Sequence, residues 1–219
     1  MLNIIRIRWN QFLEEAREKS FQVALQKSIA KCITTSQIVV PVYNDLNTLK
    51  QVAKTEGTAA LEFLVINKEN VASVASMIST TSRRLKMFRN TQSGYYAYAV
   101  TSQGQFIGDI WCATPRDIAN DPIHSDLPWL GISCGENDAY MFDMFVIPDS
   151  RGKVVTSFLL GSALNHLKED GFDKVYGFYE KNNLPALWTH RLFGYSELGK
   201  RKSFRFLFYK STELLPSSD

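Results

Sequence analysis

The segment from Met144 to Lys153, Met-Phe-Val-Ile-Pro-Asp-Ser-Arg-Gly-Lys, carries the pattern richest in chemistry. An apolar strand runs through a tight Arg-Gly turn straight into a helix. The first amides of a helix lack intrahelical partners and carry the positive end of its dipole. They make a seat for phosphate oxygens. Arg151 and Lys153 add positive charge beside that seat, and Gly152 lets the backbone come close. Asp143 lies inside the same apolar strand, where a carboxylate is costly without a partner. It reads either as a general base of raised pKa or as a structural carboxylate held by free amides or an arginine. Glu136 and Asp138, just ahead of the strand, are alternative bases acting through water. Cys134 has no histidine near it in sequence and reads as a buried, inert thiol. His124 lies between Asp121 and Asp126, but such loop clusters are ordinarily solvated, so no metal site is assigned.

These residues need elements to hold them. Tyr140 to Val146 reads as a strand. The helix from Lys153 places Val155, Leu159, Ala163 and Leu167 on one face, and Gly171 stops it. Upstream, Leu61–Ile66 reads as a strand and Glu69 to about Leu85 as a helix. Tyr95–Thr101 and Gln105–Cys112 form a hairpin around Ser102-Gln-Gly104. Ala113 to Asp138 is a long loop and a candidate substrate lid, in which Trp129, Leu130 and Ile132 give a short strand. Downstream come a strand over Asp173–Tyr179 and a short helix capped by Asn183, with Pro185 in its first turn. A final hairpin pairs Tyr195–Leu198 with Ser203–Tyr209. Residues 1–60 read as an appendage. Apolar residues recur at helical spacing from Trp9 to Ile33, and Gln37–Tyr43 is strand-like, with Pro41 suggesting an edge position. The expected division is therefore 1–60 and 61–219.

Two blocks together resemble the GCN5-related N-acetyltransferase (GNAT) superfamily. The first is Met144–Lys153, similar to that family's "V-x-P" strand end and "R-G-K" turn. The second is Asn183-Leu-Pro-Ala186 followed by Leu192-Phe-Gly-Tyr195, similar to its "N-x-x-A … G-F" helix. The resemblance covers about residues 61–210. It implies an α/β (α+β) fold, a mixed, splayed central sheet flanked by helices, here with an N-terminal helical appendage. It implies acetyl-CoA as co-substrate, lying in the gap between the strand ending at Val146 and the strand starting at Asp173. The pantetheine arm would pair with Phe145 and Val146, and the pyrophosphate would sit on Arg151, Gly152, Lys153, Val154, Val155 and Thr156. Asn183 would touch the coenzyme arm as well as cap its helix. The family turn usually has small residues where Val154 and Thr156 stand, and β-branched residues there are compatible only with negative φ.

The implied activity is transfer of an acetyl group to an amine by direct attack on the thioester. Asp143 would remove the amine proton, and backbone amides near Val146 would polarise the carbonyl. Many family members place a proton donor seven residues after the motif asparagine, which is His190 here; the plain alternative is a surface histidine packed beside Trp188. Asp126, Trp129 and Tyr140 are expected to line the acceptor site. The acceptor is a small-molecule or peptide amine. Rival readings are a non-catalytic acyl-CoA-binding or scaffold module and a longer-chain N-acyltransferase.

Composition bounds the rest. The chain has 219 residues, 45% hydrophobic and 21% charged, so a packed domain rather than disorder is expected. The net charge of +3, from 25 basic and 22 acidic residues, gives no case for nucleic acid. Three cysteines without a C-x-x-C pair suggest neither a disulfide framework nor zinc. No signal-peptide pattern or membrane-length apolar run is present, so a cytoplasmic protein is expected. The basic, apolar N-terminal helix is expected to pack on the domain or on a second copy in a homodimer. Contact with an anionic membrane surface is its other reading.

Overall fold

A computed structural model of the chain describes residues 2–32, 37–49, 57–151, 154–206 and 209–216. The N-terminal stretch forms two helices, α1 (Leu2–Glu18) and α2 (Phe21–Cys32), where the periodicity alone suggested one. The break has a local cause: the Ser20 hydroxyl accepts from the Val23 amide at 3.3 Å and so caps a new helix. Next come β1 (Gln37–Asp45), β2 (Glu62–Ile66), α3 (Val71–Ser76) and α4 (Thr81–Gln92). The single helix expected over 69–85 is thus also a pair. The hairpin β3 (Tyr96–Ser102) and β4 (Gln105–Ala113) follows as expected, then α5 (Asp126–Leu130) and β5 (Asp138–Val146). The chain ends with α6 (Val155–Glu169), β6 (Lys174–Glu180), α7 (Leu184–Leu192), β7 (Ser196–Glu197), β8 (Arg201–Phe206) and β9 (Tyr209–Leu214). The last hairpin is β8–β9 rather than 195–198 with 203–209.

The strands make one sheet in the order β2-β3-β4-β5-β6-β1-β8-β9, with β7 on β1. All its pairs are antiparallel except β5–β6. That parallel pair is short: Asp138–Tyr140 face Lys174–Tyr176, and the two strands then part. On one face α6 buries Val155, Leu159, Ala163 and Leu167 against Ala139, Met141 and Val146 of β5 and Val175 of β6. On the other face α3 and α4 cover β2–β4 around the fully buried Trp111 and Met87.

Two expectations are corrected here. Residues 37–45 are not part of a separate appendage, because β1 lies inside the sheet between β6 and β8, in register with β6 from Val39↔Glu180 to Asp45↔Lys174. Pro41 is tolerated there for a specific reason. β1 pairs with β8 through Gln37–Val39 and with β7 through Val42 and Tyr43. Pro41 falls at the junction, where its carbonyl accepts from the Leu198 amide at 2.8 Å and no donor is required of it. The 113–138 segment, in turn, is no loose lid. Ile118, Ile123, Leu127, Leu130 and Ile132 are buried against Tyr140 and Val39, and Trp129 and Leu130 belong to a helix rather than a strand.

Candidate functional site

The fork between β5 and β6 begins after Tyr140. From Met141 to Val146 no strand among the described residues pairs with β5 on its β6 side, whereas its other side still pairs with β4. Gly177 is the first β6 residue beyond the paired stretch. A Cβ there would lie 3.5 Å from the Met141 carbonyl and 4.0 Å from His190 Nε2. The absent side chain keeps β6 close to the Met141 carbonyl and His190 where the strands part.

A bulge interrupts β5 at the fork. Trp111 faces Phe142 and Asp109 faces Phe145, so one extra β5 residue opposes Ile110. Asp143 sits in this bulge with φ +55°. Its Oδ2 accepts from Arg83 Nη1 at 2.8 Å and from Lys86 Nζ at 2.5 Å, and its carbonyl accepts from Arg83 Nη2 at 3.1 Å. Arg83 also pairs with the fully buried Asp109, which accepts from Trp111 Nε1 at 3.2 Å. Burial pushes Asp109 up to about 6 while Arg83 pulls the other way. Burial likewise lowers the Lys86 ammonium against the attraction of Asp143. Asp143 is therefore gripped by two cations. Arg83, Lys86 and Asp109 were missed from sequence. The signal was Asp109, a second carboxylate inside an apolar strand, which demands a cation just as Asp143 does.

α7 carries His190 to the fork. Its ring stacks on Tyr179 at 5.4 Å and meets Tyr195 edge-on at 4.8 Å. Nδ1 lies 2.7 Å from the Ala186 carbonyl. A carbonyl only accepts, so Nδ1 carries the proton and the neutral ring presents an Nε2 lone pair toward Gly177. Burial holds the imidazolium below its ordinary 6.5, so the ring is neutral at pH 7. Asn183 caps α7, its Oδ1 accepting from the Ala186 amide at 3.2 Å. Asn183→Ala is expected to lower unfolding stability by about 1 kcal/mol; a urea midpoint equal to wild type would remove the cap from the account.

After β5, α6 starts without a side-chain cap, leaving its first amides to other acceptors. Val154 has φ −60° and Thr156 lies within the helix, so neither β-branched residue is strained. The Val155 side chain is buried in the core. Gly152 and Lys153 lie outside the described residues. Arg151 Nε turns back to donate to the Val146 carbonyl at 2.9 Å.

The expected acceptor-site residues are placed differently. Tyr140 is fully buried beneath His124, 5.1 Å between rings, and against Phe142, so it is not an exposed pocket wall. Asp126 opens α5, its amide donating to His124 Nδ1 at 3.1 Å. Trp129 packs edge-on against Phe178 of β6 at 5.7 Å. Glu136 is exposed, and Asp138 Oδ2 accepts from the Gly135 amide at 2.7 Å. Burial pushes the Cys134 thiol up to about 12, in keeping with an inert role. Among the described residues no group of three or more His, Cys, Asp or Glu is arranged to hold a metal, and no helix is long and apolar enough to cross a membrane.

A model of the acetyltransferase (GNAT) family matches residues 73–195, which span α3 to Tyr195 and so include the bulge, the fork and α7. No curated protein sequence matches the chain. Solved structures share its fold at low identity. A GCN5-related glucosamine N-acetyltransferase region of a fungal multi-domain GH3 beta-N-acetylglucosaminidase superposes with TM-score 0.57 at 16% identity, over 87% of this chain and 22% of that one. A conserved protein of unknown function from Staphylococcus epidermidis gives 0.51 at 9% identity, over 81% of this chain and 64% of that one. A Drosophila protein gives 0.50 at 9% identity, over 90% of this chain and 58% of that one. The chain thus spans about three fifths of the length of the last two.

Proposed function

Because the chain belongs to the GNAT acetyltransferase family, we propose that it transfers an acetyl group from acetyl-CoA to an amine, in the fork between β5 and β6. The observation that carries this reading is the fork itself. It brings His190 Nε2 to Gly177, where β6 parts from β5, and the β5 edge that no strand covers there runs on toward the uncapped start of α6.

The residues fit the donor in kind. Phe145 and Val146 belong to the part of β5 that β6 does not cover, which can receive the amide-bearing arm as an added strand once Arg151 Nε gives up the Val146 carbonyl. The amides of Val154, Val155 and Thr156 open α6 and suit the pyrophosphate, and Arg151, Gly152 and Lys153, which precede them in sequence, are proposed to contribute. Asn183 stands at the start of α7. The donor supplies an electrophilic thioester carbonyl, and the incoming amine attacks it directly. The amine must lose a proton and the departing sulfur must gain one. His190 is suited to both steps in turn: its Nε2 lone pair takes the proton, and the resulting imidazolium returns it to sulfur. Asp143 has its carboxylate held by Arg83 and Lys86 and is proposed to anchor the strand instead.

The acceptor is proposed to be a small-molecule or peptide amine. Amino sugars head the panel because the fungal region of similar fold acts on glucosamine. Contacts of α1 with an anionic membrane surface or with a second copy in a homodimer stay part of the proposal, as does a cytoplasmic location. The α1 contacts rest on the exposed Ile5 and Trp9 beside Arg6 and Arg8. The test is calorimetry with acetyl-CoA and with CoA, followed by thiol release on adding amines. Binding of both with amine-dependent release is expected. Binding without release from any amine would favour a non-catalytic module, and no heat from either ligand would end the acyl-CoA reading.

A further inference from the structure

Asp143 adopts the left-handed backbone region, which is unfavourable for a residue with a Cβ. Something outside β5 must hold it there. Arg83 does so at three points. Its Nη1 binds the Asp143 carboxylate, its Nη2 binds the Asp143 carbonyl, and its guanidinium lies 4.9 Å from the centre of the Phe145 ring. One side chain from α4 therefore grips the bulge residue by backbone and side chain and brackets Met144 from both sides. Arg83 is fixed from behind by Asp109 on β4, and Trp111 fixes Asp109 in turn. Asp109 and Trp111 flank Ile110, the residue that the bulge opposes.

A bulge re-aims the backbone groups that follow it. Those groups here are the free edge of β5 that leads to Phe145 and Val146. We propose that Arg83 is a positioning residue for acyl transfer, an inference that rests on the acyltransferase reading: it staples the bulge at Asp143 and so sets the direction of the strand edge that receives the acyl donor. The planar two-pronged guanidinium is what the geometry requires. A lysine would keep the charge that Asp109 needs but not the simultaneous hold on carboxylate and carbonyl.

Arg83→Lys separates positioning from charge balance. The fold is expected to persist. The acetyl-CoA Kd rises about tenfold and kcat falls by roughly 10²-fold, as displaced reacting geometry does. Amide exchange at Met144–Val146 speeds by about tenfold as the bulge loosens. A lowered melting temperature with unchanged Kd, kcat and exchange would make Arg83 merely structural and overturn the proposal. Asp143→Gly is the second variant, since glycine accepts the positive φ and leaves the carbonyl to Arg83. It is expected to lose less kcat than Arg83→Lys. A greater loss with wild-type exchange at Met144–Val146 would make the carboxylate the active group and equally overturn the staple. Failure of wild type to bind acetyl-CoA would sink the acyltransferase reading instead; the staple would then be judged by amide exchange alone.

Discussion

Replacing His190 by alanine is expected to lower kcat by roughly 10²–10⁴-fold, the range for loss of a positioned proton-transfer group. The KM for acetyl-CoA should change little, because the imidazole is proposed to act on protons rather than to hold the coenzyme. The pH profile gives the sharper test. Burial keeps the ring's folded pKa below the ordinary 6.5, and the active form is neutral. The acidic limb of the wild-type rate should therefore fall below pH 6.5, and the variant's residual rate should lack that limb. Stability follows the same sign. A cationic acid with a depressed folded pKa supports the fold above its unfolded value, and that support is lost as pH falls from 6.5 through the folded value. Steady-state kinetics between pH 5 and 8 decide the matter. An unaltered acidic limb in His190→Ala would show that another group titrates.

Arg83→Met should produce the largest loss of stability. Removing one partner of a buried pair leaves an uncompensated charge and costs about 3–5 kcal/mol. Asp109 is the group abandoned, with no exposed side-chain surface. Its carboxyl already stands at about 6, raised by burial and restrained by Arg83. Without the guanidinium that restraint goes, and the carboxyl climbs further. A carboxyl with a raised folded pKa favours the fold below its unfolded value of 3.8, and that contribution disappears as pH rises through the folded value. The gap between variant and wild type should thus be wider at pH 8 than at pH 5 in urea unfolding. An equal gap at both values would mean that Asp109 does not bear the cost.

Much of the segment from 61 to 195 was legible because its signals are local. The apolar run Tyr140–Val146, the face made by Val155, Leu159, Ala163 and Leu167, and the Asn183 cap each act within a few residues. The illegible parts depend on distant partners. Pro41 indicates an edge to any local rule, and only the handover from β8 to β7 shows why it is tolerated inside the sheet. Tyr140 looked like a pocket wall because nothing local shows that His124 and α5 cover it. Asp143 was recognised as needing a partner, but Arg83 lies 60 positions earlier and Asp109 on another strand. Likewise, a carbonyl four residues back in α7 sets which His190 nitrogen is the acceptor, which no motif spacing shows.

The place of β1 in the sheet has a consequence for how the protein is born. The β2–β5 ladders join strands that are close in sequence, so they can form early. β1 is made first, yet its partners β6, β7 and β8 begin at Lys174, Ser196 and Arg201. On the ribosome its Val39, Val40 and Val42 must wait through some 130 residues of synthesis before β6 arrives to cover them. One wall of the fork, β6, is therefore made long after β1, and the nascent chain carries an unsated apolar strand until then.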